Sequence, residues 1–242
     1  MPTFEDEWRE RFSEFADQRD DEAGIAGWSA TGLAARVRRF RSLWRPPGRQ
    51  GRWLDAGCGA GTYMRLLHDH GQQVVGADYS LPTLQKCAQP LRALGPVVVA
   101  DVRALPFRPA SFDGVLCLGV MQALADSRVA IGELSRVLAP GGELWIDGLN
   151  SASLVHLVQR ARLRLRGKRN HLRHESPSRM RRLLRDHGLV DVRLQWMPIA
   201  PGGYPALQRV FESRACRALL ALVPPLGALA SHAFILHARR PA

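Results

Sequence analysis

Leu54-Asp55-Ala56-Gly57-Cys58-Gly59-Ala60-Gly61-Thr62 sets three glycines at alternate positions directly after a short apolar run. Gly57, Gly59 and Gly61 carry no side chain to obstruct a ligand and tolerate positive φ. A helix opening there would aim its free N–H groups at the same place. The chemistry is recognition of a nucleotide-type ligand. A dinucleotide loop asks for glycine or alanine three positions after its second glycine, and that position holds Thr62. Asp55, just before the first glycine, is poorly placed beside a pyrophosphate and well suited to an amino-acid ammonium group. Asp78 follows about twenty residues on, where a carboxylate can accept both ribose hydroxyl hydrogens. Asp101 can accept from an adenine amino group while the Val102 backbone N–H donates to the ring.

These residues need strands that end side by side. From Arg52 the pattern alternates. Strands are expected over residues 52–56, 73–78, 97–100, 114–119 and 143–148, with helices over 62–70, 82–94 and 127–138 between them. Ser80 is the expected cap of the second helix, and Pro140-Gly141-Gly142 the expected stop of the third. Repeated βα units of this length imply a doubly wound, mostly parallel sheet. The acids then stand at the ends of three successive strands on one sheet edge. After Asn150 a basic amphipathic helix is expected over 151–166, a helix over 176–187, a strand over 190–196, an apolar helix over 206–222 and a last strand over 233–238. Before the core, residues 4–48 look helical, with Phe4, Trp8, Phe12 and Phe15 on one face and Leu33, Val37, Phe40 and Trp44 repeating the spacing. That stripe serves packing or a lid over the site.

Five blocks in order resemble the motif set of class I S-adenosylmethionine-dependent methyltransferases. They are 55–61, Gly76-Ala77-Asp78-Tyr79-Ser80, 100–107, Ser111-Phe112-Asp113-Gly114-Val115 and 134–144. They are most similar to the small-molecule branch that includes quinone-ring and malonyl-carrier-protein methyltransferases, over about residues 50–148. The resemblance implies an α/β, Rossmann-like, doubly wound, mostly parallel seven-stranded sheet with antiparallel C-terminal strands and a helical cap. It makes S-adenosyl-L-methionine the cofactor. Gly57 and its neighbours Cys58, Gly59 and Gly61 would meet the methionine part, Asp78 the ribose, Asp101 and Val102 the adenine, the Leu118 backbone the amino group, and Tyr79 would flank the adenine. The sequence departs after the fourth strand, where many relatives hold a histidine. Here the run is Gly119-Val120-Met121-Gln122-Ala123; Gln122 can orient an acceptor but is a poor base.

Methyl transfer needs alignment and exclusion of water more than it needs a base. Candidate bases are His156, His171, His174 and Glu175, beside Gln122. His171 and His174 share a spacing that can bind metal on a helix but have no nearby partner, and no metal is expected. Residues 160–185 hold eleven Arg or Lys against Glu175 as the one acid. This segment is a solvated face, a site for phosphate-bearing acceptors or an anionic membrane surface. Nucleic acid would use the same charge, but no appended RNA-binding module is visible. The apolar 206–229 stretch suits membrane contact, a cap or a homodimer. The expected function is methylation of an oxygen, carbon or nitrogen of a small, hydrophobic or lipid-linked acceptor. The alternatives are a tRNA methyltransferase and a non-catalytic cofactor-binding module; a nicotinamide oxidoreductase fits Thr62 and Asp101 poorly.

The 242 residues accommodate one domain: a cap (1–48), cofactor core (49–149), basic insertion and helix (150–187) and C-terminal strands with an apolar insertion (188–242). The acidic start lacks the apolar run of a secretory signal. The most apolar stretch, 215–236, carries Arg217 and Pro224-Pro225, against a membrane span. Cys58, Cys87, Cys117 and Cys216 form no CxxC pair, which suits free thiols in the cytoplasm. The net charge of +12 predicts attraction to something anionic.

Overall fold

A computed structural model describes residues 3–167, 172–199 and 205–242; His171, one candidate base, lies outside the described residues. The N-terminal segment divides into three helices, α1 (Phe4–Gln18), α2 (Glu22–Ile25) and α3 (Ala30–Leu43). The divisions fall where polar side chains cap a new start. Asp21 accepts from the Gly24 N–H and Ser29 from the Gly32 N–H, and Gly27 turns the chain at φ 71°.

The core follows as β1 (Arg52–Ala56), α4 (Thr62–Asp69), β2 (Gln73–Asp78), α5 (Leu81–Lys86), α6 (Ala88–Leu94), β3 (Val97–Val99), β4 (Phe112–Cys117), a short 3-10 turn (Met121–Ala123), α7 (Arg128–Val137) and β5 (Leu138–Leu149). Beyond it lie α8 (Leu154–Leu165), α9 (Pro177–Asp186), β6 (Val190–Met197), α10 (Pro205–Glu212), α11 (Arg214–Leu222), α12 (Pro224–Ala230) and β7 (Ala233–Arg239). Three expectations are corrected. The 82–94 helix breaks at Cys87 into α5 and α6. Pro140-Gly141-Gly142 lies inside β5, whose pairing with β4 already begins at Leu138 opposite Phe112. The expected 206–222 helix breaks at Ser213, whose side chain caps α11, into α10 and α11.

The sheet is seven-stranded in the order β3-β2-β1-β4-β5-β7-β6. Strands β1 to β5 pair in parallel, and β7 runs antiparallel to both β5 and β6. Side chains alternate between faces with the strand period of two. Val115 and Ile146 join Ile131, Leu134 and Leu184 on one face. Leu116 and Trp145 join Phe40, Met64 and Leu91 on the other. The order reverses at β1, between β2 and β4. An open α/β sheet has its ligand crevice there, beyond the carboxyl ends of its strands.

Candidate active site

The glycine loop fills that position. Gly57, Gly59 and Gly61 have φ of 85°, 49° and 86°, left-handed conformations that disfavour any side chain. The Gly57 and Cys58 N–H groups donate to the Ala77 carbonyl at 2.6 and 3.1 Å, tying the loop to the end of β2. A Cβ on Gly57 would stand 2.2 Å from Val120 Cγ2, whereas one on Gly59 would meet open space.

That space is a cavity of about 880 Å³ including its mouth. Its floor holds Gly57, Gly59, Asp78, Asp101, Val102 and Leu118. Tyr79 also lines it, edge-on to Phe12 at 5.7 Å. Asp78 Oδ2 accepts from the Gly59 N–H and Oδ1 from the Ser80 N–H, both at 2.9 Å. Burial raises its carboxyl while these N–H groups pull it back. A carboxylate has about four acceptor positions, so Asp78 retains two for ligand hydroxyls. With the room at Gly59, these residues fit S-adenosylmethionine.

Three of the candidates for holding the cofactor do not line the cavity. Asp55 is buried and engages the Met64 N–H in the first turn of α4; burial raises its carboxyl to about 7, and Asp78 adds to the rise. It supports the loop from behind, because alternation along β1 turns it away from the cavity. Cys58 is buried toward Gly76, and Gly61 packs against Leu91. Asp101 lies in the lining, but Arg103 takes most of its acceptor capacity. The guanidinium bonds both carboxylate oxygens at 2.7–3.1 Å and holds the carboxyl below the ordinary range.

Residues 54–146 match a family model described as a methyltransferase domain. The chain is 41% identical over 106 residues to a malonyl-[acyl-carrier protein] O-methyltransferase of Pseudescherichia vulneris, covering 44% of this chain and 42% of that protein. It is 41% identical over 100 residues to a demethylmenaquinone methyltransferase of Thermus thermophilus, covering 39% and 46%. The chain thus spans about half the length of the curated relatives it matches. In fold it resembles a phosphoethanolamine N-methyltransferase 2 of Haemonchus contortus solved with S-adenosylhomocysteine, at TM-score 0.64 and 19% identity, covering 100% of this chain and 61% of that one. Over residues 54–146 the chain thus matches the methyltransferase-domain family, in the fold that its solved neighbour shares.

The methyltransferase domain is roofed by the N-terminal helices. Phe12, Ile25 and Trp28 line the cavity opposite the glycine loop. Several contacts pin this cap to the core. Thr62 Oγ1 donates to Glu22 at 2.7 Å, Arg103 pairs with Glu5 at 3.1 Å, and the Lys86 ammonium donates to the Ala16 carbonyl at 2.6 Å. Thr62, which fits a dinucleotide loop poorly, thus anchors the N-terminal cap to the core. Glu5, Glu22 and Arg103 carried no sequence signal, since their partners are 40 or more residues away.

The remaining candidates gather past the end of β4, and none of those described lines the cavity. Gln122 is buried, donates to the Gly119 carbonyl and leaves Oε1 without a protein partner among the described residues. Its carbonyl accepts from the Arg173 N–H at 3.2 Å. The next residue, His174, stacks on His156 with ring centroids 3.5 Å apart, and His232 stands 6.3 Å from His174. His156 Nδ1 and His174 Nε2 are buried without a protein partner among the described residues. Burial first, then the neighbouring His156, takes His174 down to about 4; burial and Arg36 do the same to His232. Glu175 is corrected as a candidate base: its carboxylate is bound by Ser127 and Arg173, and its backbone bridges to Asn150. Sequence reasoning also missed Arg36 and Asp147, paired at 3.2 Å and both almost fully buried. Asp147 Oδ1 accepts from the Gly119 N–H at 2.7 Å, and the Arg36 guanidinium lies 3.7 Å over Trp28 in the cavity wall. Among the described residues no cluster of His, Cys, Asp and Glu is arranged to hold a metal ion.

Proposed function

We propose that the whole chain acts as one catalytic unit, transferring a methyl group from S-adenosylmethionine to a small, hydrophobic or lipid-linked acceptor. The observation that carries this is the cavity at the β1–β4 strand ends, with Asp78 and an open Gly59 beneath and Phe12, Ile25 and Trp28 above. The bound donor supplies a methyl group already activated on a sulfonium. Asp78 accepts from the ribose hydroxyls, the Val102 backbone meets the adenine ring and Tyr79 flanks it. The loop backbone and the Leu118 carbonyl hold the methionine part. The aromatic roof excludes water and aligns the reactants, a contribution of roughly 7–11 kcal/mol in well-oriented systems.

The residues beside Gly119 bear on the acceptor. His174, taken down to about 4, and His156, also lowered by burial, are neutral at pH 7 and weakly basic. Gln122 has no useful basicity. An acceptor that brings its own reactive lone pair at neutral pH, such as a carboxylate or an acidic enol or phenol, suits such neighbours. Incubation with methyl-labelled donor and fractionated extract tests this, label being expected in a small-molecule or lipid fraction. Label in RNA would support a tRNA methyltransferase instead, and tight S-adenosylhomocysteine binding with no labelled product would leave a non-catalytic binding module.

A further inference from the structure

The positive charge of this chain is confined to one part of it. Residues 154–230 hold fifteen Arg or Lys against four Asp or Glu, while residues 1–153 hold seventeen against eighteen. Arginine is plentiful in both parts, so general composition does not account for the imbalance. The same segment carries most of the exposed large apolar side chains among the described residues.

Helix geometry shows that these side chains are displayed outward. On α8 the buried residue is His156. Leu154, Val158, Ala161 and Leu165 recur at intervals of four, three and four, forming a stripe on the opposite side. All four are exposed, Leu165 by 89%. Arg164 borders the stripe on one flank and Arg162 on the other. On α11 the buried residue is Leu220, and Ala215, Ala218, Leu219 and Leu222 form a second outward stripe, Leu222 being 80% exposed. α12 packs against both helices and adds exposed Leu226 and Leu229. An amphipathic helix normally turns its apolar stripe to the core; here α8 and α11 turn theirs to solvent.

We propose that α8, α11 and α12 form an interfacial surface that docks on an anionic phospholipid bilayer. The leucines would enter the acyl boundary while the bordering arginines meet lipid phosphates. No helix of the described residues is long and apolar enough to cross a membrane, so the contact is peripheral. A second copy seated face to face would set this basic surface against its like. RNA would use the arginines but has no use for leucines exposed to this degree.

Flotation of the full chain with lipid vesicles tests the proposal independently of any methyl acceptor. Vesicles of phosphatidylcholine with roughly a quarter phosphatidylglycerol should carry the protein, phosphatidylcholine alone far less, and added salt should release part of it. Leu165→Glu with Leu222→Glu, at sites where folding is indifferent to the change, should cut vesicle binding about tenfold or more, with S-adenosylhomocysteine affinity unchanged. Arg162→Glu with Arg164→Glu should weaken binding to anionic vesicles and leave the remainder insensitive to salt. No flotation of the wild-type protein, or equal flotation of the leucine variant, would overturn the proposal. So would a dimer in sedimentation that the leucine variant dissociates without any vesicle binding, or salt-sensitive binding to bulk tRNA without vesicle binding.

Discussion

At the residue scale, Gly57 and Gly59 separate folding from binding. Both are left-handed, which costs an L side chain about 1–2 kcal/mol. Only Gly57 would also drive a methyl group into Val120. Gly59→Ala should therefore lose about 1–2 kcal/mol in chemical denaturation and fold normally, while calorimetry shows S-adenosylhomocysteine affinity lowered by about tenfold or more. Gly57→Ala should be far less stable. Asp78→Ala strands the Gly59 and Ser80 N–H groups and should weaken donor binding by about 1–3 kcal/mol; unchanged affinity in a folded variant would place the donor elsewhere. Asp55 makes a prediction of the opposite kind. Its folded carboxyl titrates near 7, above its ordinary 3.8. The native state therefore holds a proton that the unfolded chain releases between those values, and stability from this group falls as pH rises through that window. Asp55→Asn should be the more stable protein in calorimetric scans above pH 7, with the advantage gone near pH 4.

At the element scale, the decisive junction is α3 against the β4–β5 edge. Arg36 from α3 reaches Asp147 on β5, and Asp147 in turn holds the Gly119 N–H at the end of β4. Burial raises the Asp147 carboxyl while Arg36 pulls it down. Removing one partner of a buried pair leaves an uncompensated charge, at a cost of about 3–5 kcal/mol. Arg36→Met should lose stability on that scale in urea denaturation. Adding Asp147→Asn, which keeps an acceptor for Gly119, should recover most of it. If the double variant is as unstable as the single one, the loss lies in packing over Trp28 and not in charge. The cap contacts at Thr62–Glu22 and Arg103–Glu5 are more exposed, and each is worth about 0–1 kcal/mol; their weight falls on holding the roof over the cavity.

For the whole molecule, the buried imidazoles set the acid limit of the fold. His174 and His232 titrate near 4 when folded, below their ordinary 6.5. The unfolded chain therefore binds protons between these values that the native state refuses. The stability these groups contribute is intact above pH 6.5 and is lost as pH falls toward 4. Thermal midpoints should decline over that range, and His174→Gln with His232→Asn should flatten the decline; an unaltered acid limb would show the imidazoles to be accessible to protons in the fold. Charge is likewise organised at this scale. A near-neutral cofactor half adjoins a strongly basic half, and the two meet around the stacked histidines. A lipid-linked acceptor presented at the α8–α12 face would lie close to that junction.

The sequence by itself determined the βα alternation, the glycine loop and the placement of Asp78, Asp101 and Val102 at strand ends, because each depends on local periodicity or on residues a few positions apart. It also marked the cap Ser80. Tertiary structure alone decided which acids face the ligand. Strand alternation turned Asp55 behind the loop, and Arg103, two residues along, claimed Asp101. It decided that Glu175 is an anchor, that Arg36 meets Asp147 across 111 residues, and that Phe12, alone of the first helix's aromatic stripe, lines the cavity. It also decided that the apolar stripes of α8 and α11 point outward. Periodicity shows that a helix has an apolar face, but only packing determines which face the fold covers.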